Sequence, residues 1–130
     1  MEQSSKTKSF QDLLVWKKSH NVVIEIYKKT KKFPKEELYG ITSQMRRSAV
    51  SVPANIAEGY RKKSKAEKIH FFEISLCSLQ ELRYYIILCK DLNYFDSIDF
   101  ENLNSEINEI GKMITAYINA IEAERNNKKT

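Results

Sequence analysis

The residue types best suited to holding a catalytic metal occur in one copy only. Glu67 and His70 form a Glu-x-x-His motif, which places a carboxylate and an imidazole one helical turn apart. A di-iron site in a helical bundle needs two such motifs and two further carboxylates. The other histidine, His20, is preceded three residues earlier by Lys17, so the second motif is missing. The sequence therefore predicts no metal site and no cofactor, with Glu67 at a helix start and His70 at the surface.

No other arrangement of nucleophiles, acids and bases predicts catalysis. Neither histidine belongs to a Ser-His-Asp or a Cys-His arrangement. The three glycines are isolated, which excludes a glycine-rich phosphate loop. Some helical-bundle ribonucleases use a closely spaced arginine and histidine, but eight residues separate Arg61 from His70 here. We therefore predict a protein that is not an enzyme.

Cysteine spacing and hydropathy both predict a cytoplasmic protein. If Cys77 and Cys89 lie on one helix they are about 18 Å apart, because a helix rises about 1.5 Å per residue. A disulfide needs Cα atoms within about 7 Å, so both are predicted to be reduced thiols. The polar N-terminus lacks the apolar stretch of a secretory signal, and no apolar run approaches the roughly 20 residues that cross a bilayer. We expect no membrane partner.

Basic residues are dense around residues 60–68, next to an aromatic ring. Arg61–Lys65 holds four cations in five residues beside Tyr60. Cations attract phosphates and a ring can stack on an unstacked base, so this composition is typical of a nucleic-acid site. Charge alone does not specify a partner, and a solvated end that only aids solubility explains it equally well. The predicted nucleic-acid-binding residues are Tyr60, Arg61, Lys62, Lys63, Lys65, Lys68, Lys17 and Lys18.

Apolar residues recur at helical spacing over four segments, which predicts an all-α protein. The first three segments run from Asp12 to Pro34, from Glu36 to Gly59 and from Ser64 to Asp91. The fourth has a heptad seam of Phe100, Leu103, Ile107, Ile110, Ile114, Tyr117 and Ile121. Links of about three to six residues force neighbouring helices to be antiparallel. We predict one domain over residues 1–130, an antiparallel up-down-up-down four-helix bundle ordered over 10–125, with mobile tails at 1–9 and 126–130.

The second predicted helix carries a proline and a polar stripe. Pro53 cannot donate to the carbonyl of Ala49, so we expect a kink or a short break there. We interpret the stripe as a hydrogen-bonded structural feature, with a ligand or nucleic-acid groove as the alternative. Arg46 or Arg47 is expected to pair with a carboxylate, because a buried unpaired arginine is costly. The stripe consists of Gln44, Arg46, Arg47, Ser51, Asn55 and Glu58.

The third predicted helix is apolar on every side near its end, over Tyr84–Leu88. A helix that is apolar all round is normally buried all round. Two explanations remain open: tight packing within one chain with tyrosine rings at the rim, or a subunit interface. The predicted oligomer interface consists of Tyr84, Tyr85, Ile87 and Leu88.

Antiparallel helices concentrate the positive charge at one end of the bundle. That end contains the start of the first helix, the link between the second and third, and the C-terminal tail. It holds twelve basic and six acidic residues, whereas the opposite end holds six of each. In an oligomer such ends can combine into one larger basic face, which favours a polyanion.

The polar stripe lies within a run that is distinctive as a whole, Gln44–Gly59. Together with further segments this run resembles the 23S rRNA intervening-sequence proteins, also called four-helix bundle proteins. The similarity covers about residues 10–120, and Cys77 departs from it where the family more often has a small residue. The further segments are Phe10–Leu13, Val15-Trp16, Phe33-Pro34, Glu37–Gly40 and Ser75–Leu82.

The resemblance implies an antiparallel four-helix bundle that assembles into homopentamers. Members of the family can be encoded inside insertions in bacterial large-subunit rRNA genes. The chain is also similar to the accessory variability protein of diversity-generating retroelements, a basic pentameric barrel that engages a reverse transcriptase and nucleic acid. No catalytic role attaches to the motif residues. We predict a non-enzymatic homo-oligomer that binds RNA or DNA through its basic end, with a protein-interaction scaffold as the alternative and no protein partner indicated.

Overall fold

Four α-helices make up most of the computed structural model, which describes residues 8–129 and the side chains of 8–127. They are α1 (Leu14–Thr30), α2 (Ser43–Arg61), α3 (Lys65–Asp91) and α4 (Ser97–Lys129). Short 3-10 turns at Phe10–Asp12 and Lys35–Glu37 and a π-helical turn at Leu38–Thr42 complete the described elements. Residues 8–129 contain no strand, and the predicted all-α bundle is confirmed.

Helix α4 extends further than predicted. The tails at 1–9 and 126–130 were expected to be mobile, yet α4 continues as a helix to Lys129. Residues 1–7 and Thr130 lie outside the described residues, so the mobility predicted for them stays a prediction. None of the described helices is both long enough and apolar enough to cross a membrane.

Each helix packs mainly on two neighbours around one core, and contacting residues show the direction of the chains. Along α1 and α4, Lys18 pairs with Glu109 and Lys29 with Asp99, so these two helices are antiparallel. The same reversed order links α2 to α3 (Ser51 with Ser78, Tyr60 with Lys68) and α3 to α4 (Arg83 with Asn108, Lys65 with Glu124). The four helices therefore occupy the corners of a square, with α1 beside α2 and α4.

The core follows the predicted heptad seam of α4 over its first half. Ile107, Ile110 and Ile114 are each at most 1% exposed. Beyond Ile114 the buried position is Ile118, and the predicted Tyr117 is only half-buried. A straight helix drifts by about 20° per heptad against a strict seven-residue repeat, so one seam cannot hold along the whole of α4.

Helix α2 begins later than predicted because of the backbone at Gly40. Its φ of −109° and ψ of −115° are not helical. Oε1 of Glu37 accepts the N–H of Ile41 at 3.4 Å, which satisfies a donor that the irregular turn leaves free. Helix α2 then runs through Pro53 without interruption, so the break considered at that position does not occur. A kink there stays a prediction.

The end of α3 is apolar all round, but it is not buried all round. Ile86 and Cys89 are at most 1% exposed, and Tyr85 is half-buried. Tyr84 and Ile87, by contrast, are 59% and 42% exposed. The exposed Tyr84 fits a tyrosine ring at the rim, whereas the exposed Ile87 is not explained by tight packing within one chain, so the subunit interface stays a prediction.

Candidate nucleic-acid interface

The densest basic segment forms the corner between α2 and α3. Helix α2 ends at Arg61, and Lys62 is extended at φ −69° and ψ 145°. Oγ of Ser64 accepts the N–H of Glu67 at 3.1 Å, which caps the start of α3. The short link between these helix ends holds four cations close together. We call this group the basic corner; it consists of Arg61, Lys62, Lys63 and Lys65.

Lys68 links the start of α3 to the end of α2 through hydrogen bonds. Its ammonium donates to the carbonyl oxygen of Tyr60 at 2.7 Å and to that of Gly59 at 3.3 Å. These carbonyls belong to the last turn of α2, and that of Gly59 also accepts the N–H of Lys62 at 3.2 Å. Burial, and then the positive charge of Lys65, lowers the pKa of Lys68. Lys68 was predicted as a nucleic-acid contact, and the structure gives its ammonium a role in the shape of the corner.

Lysines cover aromatic rings around the corner. Nζ of Lys68 lies 5.8 Å from the ring centroid of Tyr60, and Nζ of Lys62 lies 5.1 Å from that of Phe71. Both distances fall within the range of cation–π contacts. Tyr60 is also half-buried. The corner therefore presents cations more than open ring faces, which favours phosphates over bases as its ligands.

Carboxylates lie within ion-pair distance of three of these cations, in pairs that stay exposed to solvent. Oε1 of Glu58 lies 3.8 Å from both Arg61 Nη1 and Lys62 Nζ, and Oε1 of Glu124 lies 3.5 Å from Lys65 Nζ. The Glu58 and Glu124 side chains are more than half exposed. Exposed ion pairs contribute about 0–1 kcal/mol, so a phosphate can replace either carboxylate at little cost. Lys63 is exposed, and no described carboxylate lies within ion-pair distance of it.

Helix α4 brings a further cation that was not among the predicted nucleic-acid-binding residues. The contact between Lys65 and Glu124 places the last turns of α4 beside the start of α3. Arg125 follows directly, with its Nη1 3.7 Å from Oε1 of Glu122. The C-terminal tail, with Arg125, was predicted to lie at the basic end of the bundle, and the contact between Lys65 and Glu124 is consistent with that position.

Lys17 and Lys18 were predicted for the same interface, but no described contact joins them to the basic corner. Nζ of Lys18 lies 3.4 Å from Oε1 of Glu109, so its charge is directed toward the middle of α4. Lys17 is exposed near the start of α1. The four corner residues are thus grouped between α2 and α3, whereas these two lysines lie on α1.

The two histidines contact aromatic rings. The His20 ring stacks on Trp16 with centroids 4.9 Å apart and an angle of 7° between planes. His70 meets Phe71 edge-on at 5.3 Å. Among the described residues, no group of three or more His, Cys, Asp or Glu side chains is placed to hold a metal ion.

The succession of these helices matches a known family. Residues 11–116 fit the family model described as 23S rRNA-intervening sequence protein. This chain belongs to that family. A crystal structure of a protein with unknown function from the S23 ribosomal protein family of Bacteroides thetaiotaomicron VPI-5482 is similar, with 27% identity and a TM-score of 0.73. The similarity covers 81% of this chain and 98% of that one. No curated protein gives a significant match.

In this 23S rRNA-intervening sequence protein, the middle of the polar stripe on α2 is hydrogen-bonded internally. The hydroxyl oxygens of Ser51 and Ser78 lie 2.7 Å apart across α2 and α3. Nδ2 of Asn55 donates to the carbonyl oxygen of Ser51 at 2.8 Å and to its hydroxyl at 3.0 Å. These bonds favour the structural interpretation of Ser51 and Asn55, whereas Glu58 belongs to the surroundings of the basic corner.

The arginines of the stripe do not have the carboxylate partner that was expected. Nε of Arg46 donates to Oγ1 of Thr30 at 2.9 Å, and Nη2 of Arg47 donates to Oε1 of Gln44. Within the described part of the chain neither guanidinium forms an ion pair. The expectation assumed burial, but Arg46 is only half-buried and Arg47 is exposed, so water solvates the charges.

Proposed function

We propose that this protein binds nucleic acid through its basic corner, as a homo-oligomer and without catalysing a reaction. The observation that carries the proposal is the short link between α2 and α3, which concentrates Arg61, Lys62, Lys63 and Lys65. Arg125, in the last turns of α4, lies at the same end of the bundle. The family description refers to 23S rRNA, so RNA is the first nucleic acid to test.

The proposed contacts are phosphates. Lysines lie over Tyr60 and Phe71. Among the cations of the corner, Arg61 and Lys63 are exposed, and Lys62 and Lys65 are half-buried. Each phosphate that a cation neutralises releases counterions, so affinity falls steeply as salt rises. This mode of binding positions a protein on a nucleic-acid backbone without reading its sequence.

We further propose that several chains assemble into a ring, a homopentamer in the cytoplasm. The exposed apolar side chains of Tyr84 and Ile87, with their neighbours Tyr85 and Leu88, support a subunit interface. A cyclic assembly repeats the basic corner around its axis. Simultaneous contact of several corners with one polyanion raises the overall affinity above that of a single corner.

The proposal is tested with two matched charge-reversal variants. In the corner variant, Arg61, Lys62, Lys63 and Lys65 are all replaced by Glu. In the control variant, four exposed lysines at the opposite end are replaced by Glu, so net charge changes equally; they are Lys28, Lys31, Lys32 and Lys35. Binding to a structured RNA is measured at several salt concentrations, and circular dichroism checks that both variants are folded.

The corner variant is expected to lose at least about tenfold in affinity at low salt, while the control variant keeps most of its affinity. Equal losses in both variants would show that net charge alone drives binding. Unchanged binding in both would reject the corner as the binding surface. Absence of salt-dependent RNA binding by the wild type would favour the second candidate function, a protein-interaction scaffold. That candidate has its own support in the exposed apolar residues Tyr39 and Ile98, which are 91% and 69% exposed.

A further inference from the structure

Arg46 and Arg47 line an open groove between α1 and α2, with a volume of about 390 Å³. Its apolar walls are partly exposed: Tyr27 is 40%, Leu38 47% and Val50 41% exposed. We call it the arginine groove. It lies in the half of the bundle away from the basic corner, because Arg46 contacts residues near the end of α1. The groove therefore belongs to a different part of the molecule from the proposed nucleic-acid site.

Neutral partners fix the two arginines in place. The guanidinium carbon of Arg46 lies 4.6 Å from the ring centroid of Tyr27, while its Nε donates to Thr30. Gln44 holds Arg47 through a side-chain hydrogen bond. None of these partners carries a negative charge, so the groove offers preorganised N–H donors and uncompensated positive charge.

The groove also contains a polar group without a partner. Oγ1 of Thr42, in a side chain that lines the groove, is buried and has no hydrogen bond in the described part of the chain. A buried hydroxyl is normally paired. Arginine and tyrosine beside apolar side chains are typical of the energetically important centre of a protein interface. The expected occupant therefore combines a carboxylate with apolar or aromatic side chains.

Helix α3 of the same chain has a surface of this composition. Glu81, Tyr84 and Leu88 lie three and four residues apart, so they share one face of the helix. Glu81 is exposed and accepts a hydrogen bond from the hydroxyl of Tyr85 at 2.9 Å. No described cation lies within ion-pair distance of Glu81. We call these residues, with Tyr85, the α3 patch.

We propose that the arginine groove of one chain receives the α3 patch of a second copy. The carboxylate of Glu81 meets the guanidinium groups of Arg46 and Arg47, and Tyr84 covers the apolar walls of the groove. The contact is complementary in charge, since two unpaired cations face one unpaired carboxylate. It rests on the proposed homo-oligomer and names the two surfaces that join its subunits.

The groove lies on the side of the bundle formed by α1 and α2, and the patch lies on α3 toward α2. Because the two surfaces are different, the contact between copies is head-to-tail. Such a contact builds a ring when the rotation from one copy to the next closes. Two surfaces on opposite sides of the bundle would instead build an open filament.

The test uses two single charge reversals in the full chain, Arg47→Glu and Glu81→Arg. Both side chains are exposed in one copy, so each variant is expected to fold, and circular dichroism checks this. Light scattering and sedimentation measure the mass. Each variant alone is expected to weaken subunit association by about tenfold or more. An equimolar mixture is expected to associate again, because every contact between unlike variants pairs opposite charges. A ring of five keeps one contact between like variants, so the readout is the recovery of association and not the mass of a closed pentamer.

The mixture distinguishes contact between copies from contact within one chain. In each variant residues 47 and 81 carry the same charge, so either residue finds the opposite charge at the other position only on a chain of the other variant. Glu101→Arg serves as the control, because Glu101 is an exposed carboxylate on α4 outside the patch, and it is expected to leave association unchanged. A wild-type chain that is monomeric at all concentrations overturns the inference, as does a mixture of the two variants that stays dissociated.

Two further results overturn the inference while leaving the proposed function intact. If the wild type associates but neither charge reversal affects it, another surface joins the subunits. If inorganic phosphate raises the unfolding temperature of the wild type but not of Arg47→Glu, and association is unaffected, the groove holds a free anion. RNA binding by the corner variant is measured separately, so the failure of one proposal does not conceal the outcome of the other.

Discussion

The ammonium of Lys68 donates to the carbonyl oxygen of Tyr60 at 2.7 Å, eight residues back across the corner between α2 and α3. The bond satisfies a carbonyl at the C-terminus of α2, where the partial negative charge of the helix favours a cation. One lysine of the basic segment thus orders the backbone that carries the others. Structural and binding roles can therefore be separated by comparing Lys68 with Lys63.

Replacing Lys68 by Met keeps much of the aliphatic stem and removes the charged donor. We expect Lys68→Met to lower the free energy of unfolding by about 1–2 kcal/mol, because the carbonyl of Tyr60 loses the ammonium donor and that of Gly59 keeps only the N–H of Lys62. Urea unfolding measures the change at a fixed protein concentration. Lys63→Met is the control, since Lys63 is exposed without a described ion pair, and it is expected to leave stability nearly unchanged. Equal stability of both variants would argue against the capping role.

The salt dependence of RNA binding is expected to change with Lys63. If Lys63 contacts one phosphate, Lys63→Gln lowers the slope of log affinity against log salt by about 0.7–0.9 for each subunit engaged. Titrations at four or more salt concentrations give the slope. Lys32→Gln, at the opposite end of the bundle, is expected to leave it unchanged. A slope that is insensitive to Lys63 would remove this residue from the interface.

Tyr60 is expected to contribute little to binding by stacking. A base stacked on an aromatic ring contributes about 1–3 kcal/mol, which corresponds to a loss of about fivefold or more on removal of the ring. Because Lys68 lies over this ring, we expect Tyr60→Leu to change the affinity for single-stranded RNA less than about threefold. Fluorescence anisotropy with a labelled oligonucleotide measures the affinity. A larger loss in a variant of unchanged stability would restore the base-stacking prediction.

The helices and the basic corner could be predicted because both depend on local sequence. The spacing of Ile107, Ile110 and Ile114 indicates a buried stripe. The four cations within Arg61–Lys65 indicate a basic surface, whatever position this link has in the fold. Helix direction follows from short links. These inferences need only the period of the helix and the length of its connections.

The details that could not be predicted depend on contacts between distant residues. The role of Lys68 depends on the angle at which α3 leaves α2, and the partners of Arg46 depend on how closely α1 approaches α2. The late start of α2 depends on the backbone conformation of Gly40. Because glycine can adopt many backbone conformations, the presence of a glycine at this position does not predict which one occurs. Packing between elements selects among such possibilities.

Two glycines in helices are expected to respond in opposite directions to alanine. A Cβ at Gly59 would lie 2.8 Å from Cε1 of Phe72 and 3.2 Å from Cβ of Phe71, so a buried ring or the backbone must move. We expect Gly59→Ala to destabilise the protein by about 1–3 kcal/mol. A Cβ at Gly111 would lie 3.4 Å from Cδ2 of Leu79 and 4.0 Å from Nη2 of Arg83, which are ordinary contacts. Gly111→Ala is therefore expected to stabilise α4 by up to about 1 kcal/mol, measured by urea unfolding.

The two cysteines are expected to differ in reactivity. Cys77 is exposed and Cys89 is buried, and burial raises the pKa of the Cys89 thiol to about 12. Because the thiolate is the reactive form, an aromatic disulfide reagent near pH 8 should modify one thiol per native chain and two after denaturation. Cys77→Ser should abolish the native reaction. Rapid modification of two thiols in the native protein would contradict the packing of Cys89 in the core.

The buried thiol also makes stability depend on pH in the alkaline range. In the unfolded chain Cys89 titrates near its ordinary pKa of 9.0, whereas in the folded chain the pKa is raised to about 12. The unfolded state therefore binds fewer protons between these values. The contribution of Cys89 is fully present below pH 9 and is lost as pH rises toward 12. Lysines titrate in the same range, so the informative quantity is the difference between the wild type and Cys89→Ala. The wild type should lose stability more steeply with rising pH, and parallel curves would show that the thiol is solvated in the native state.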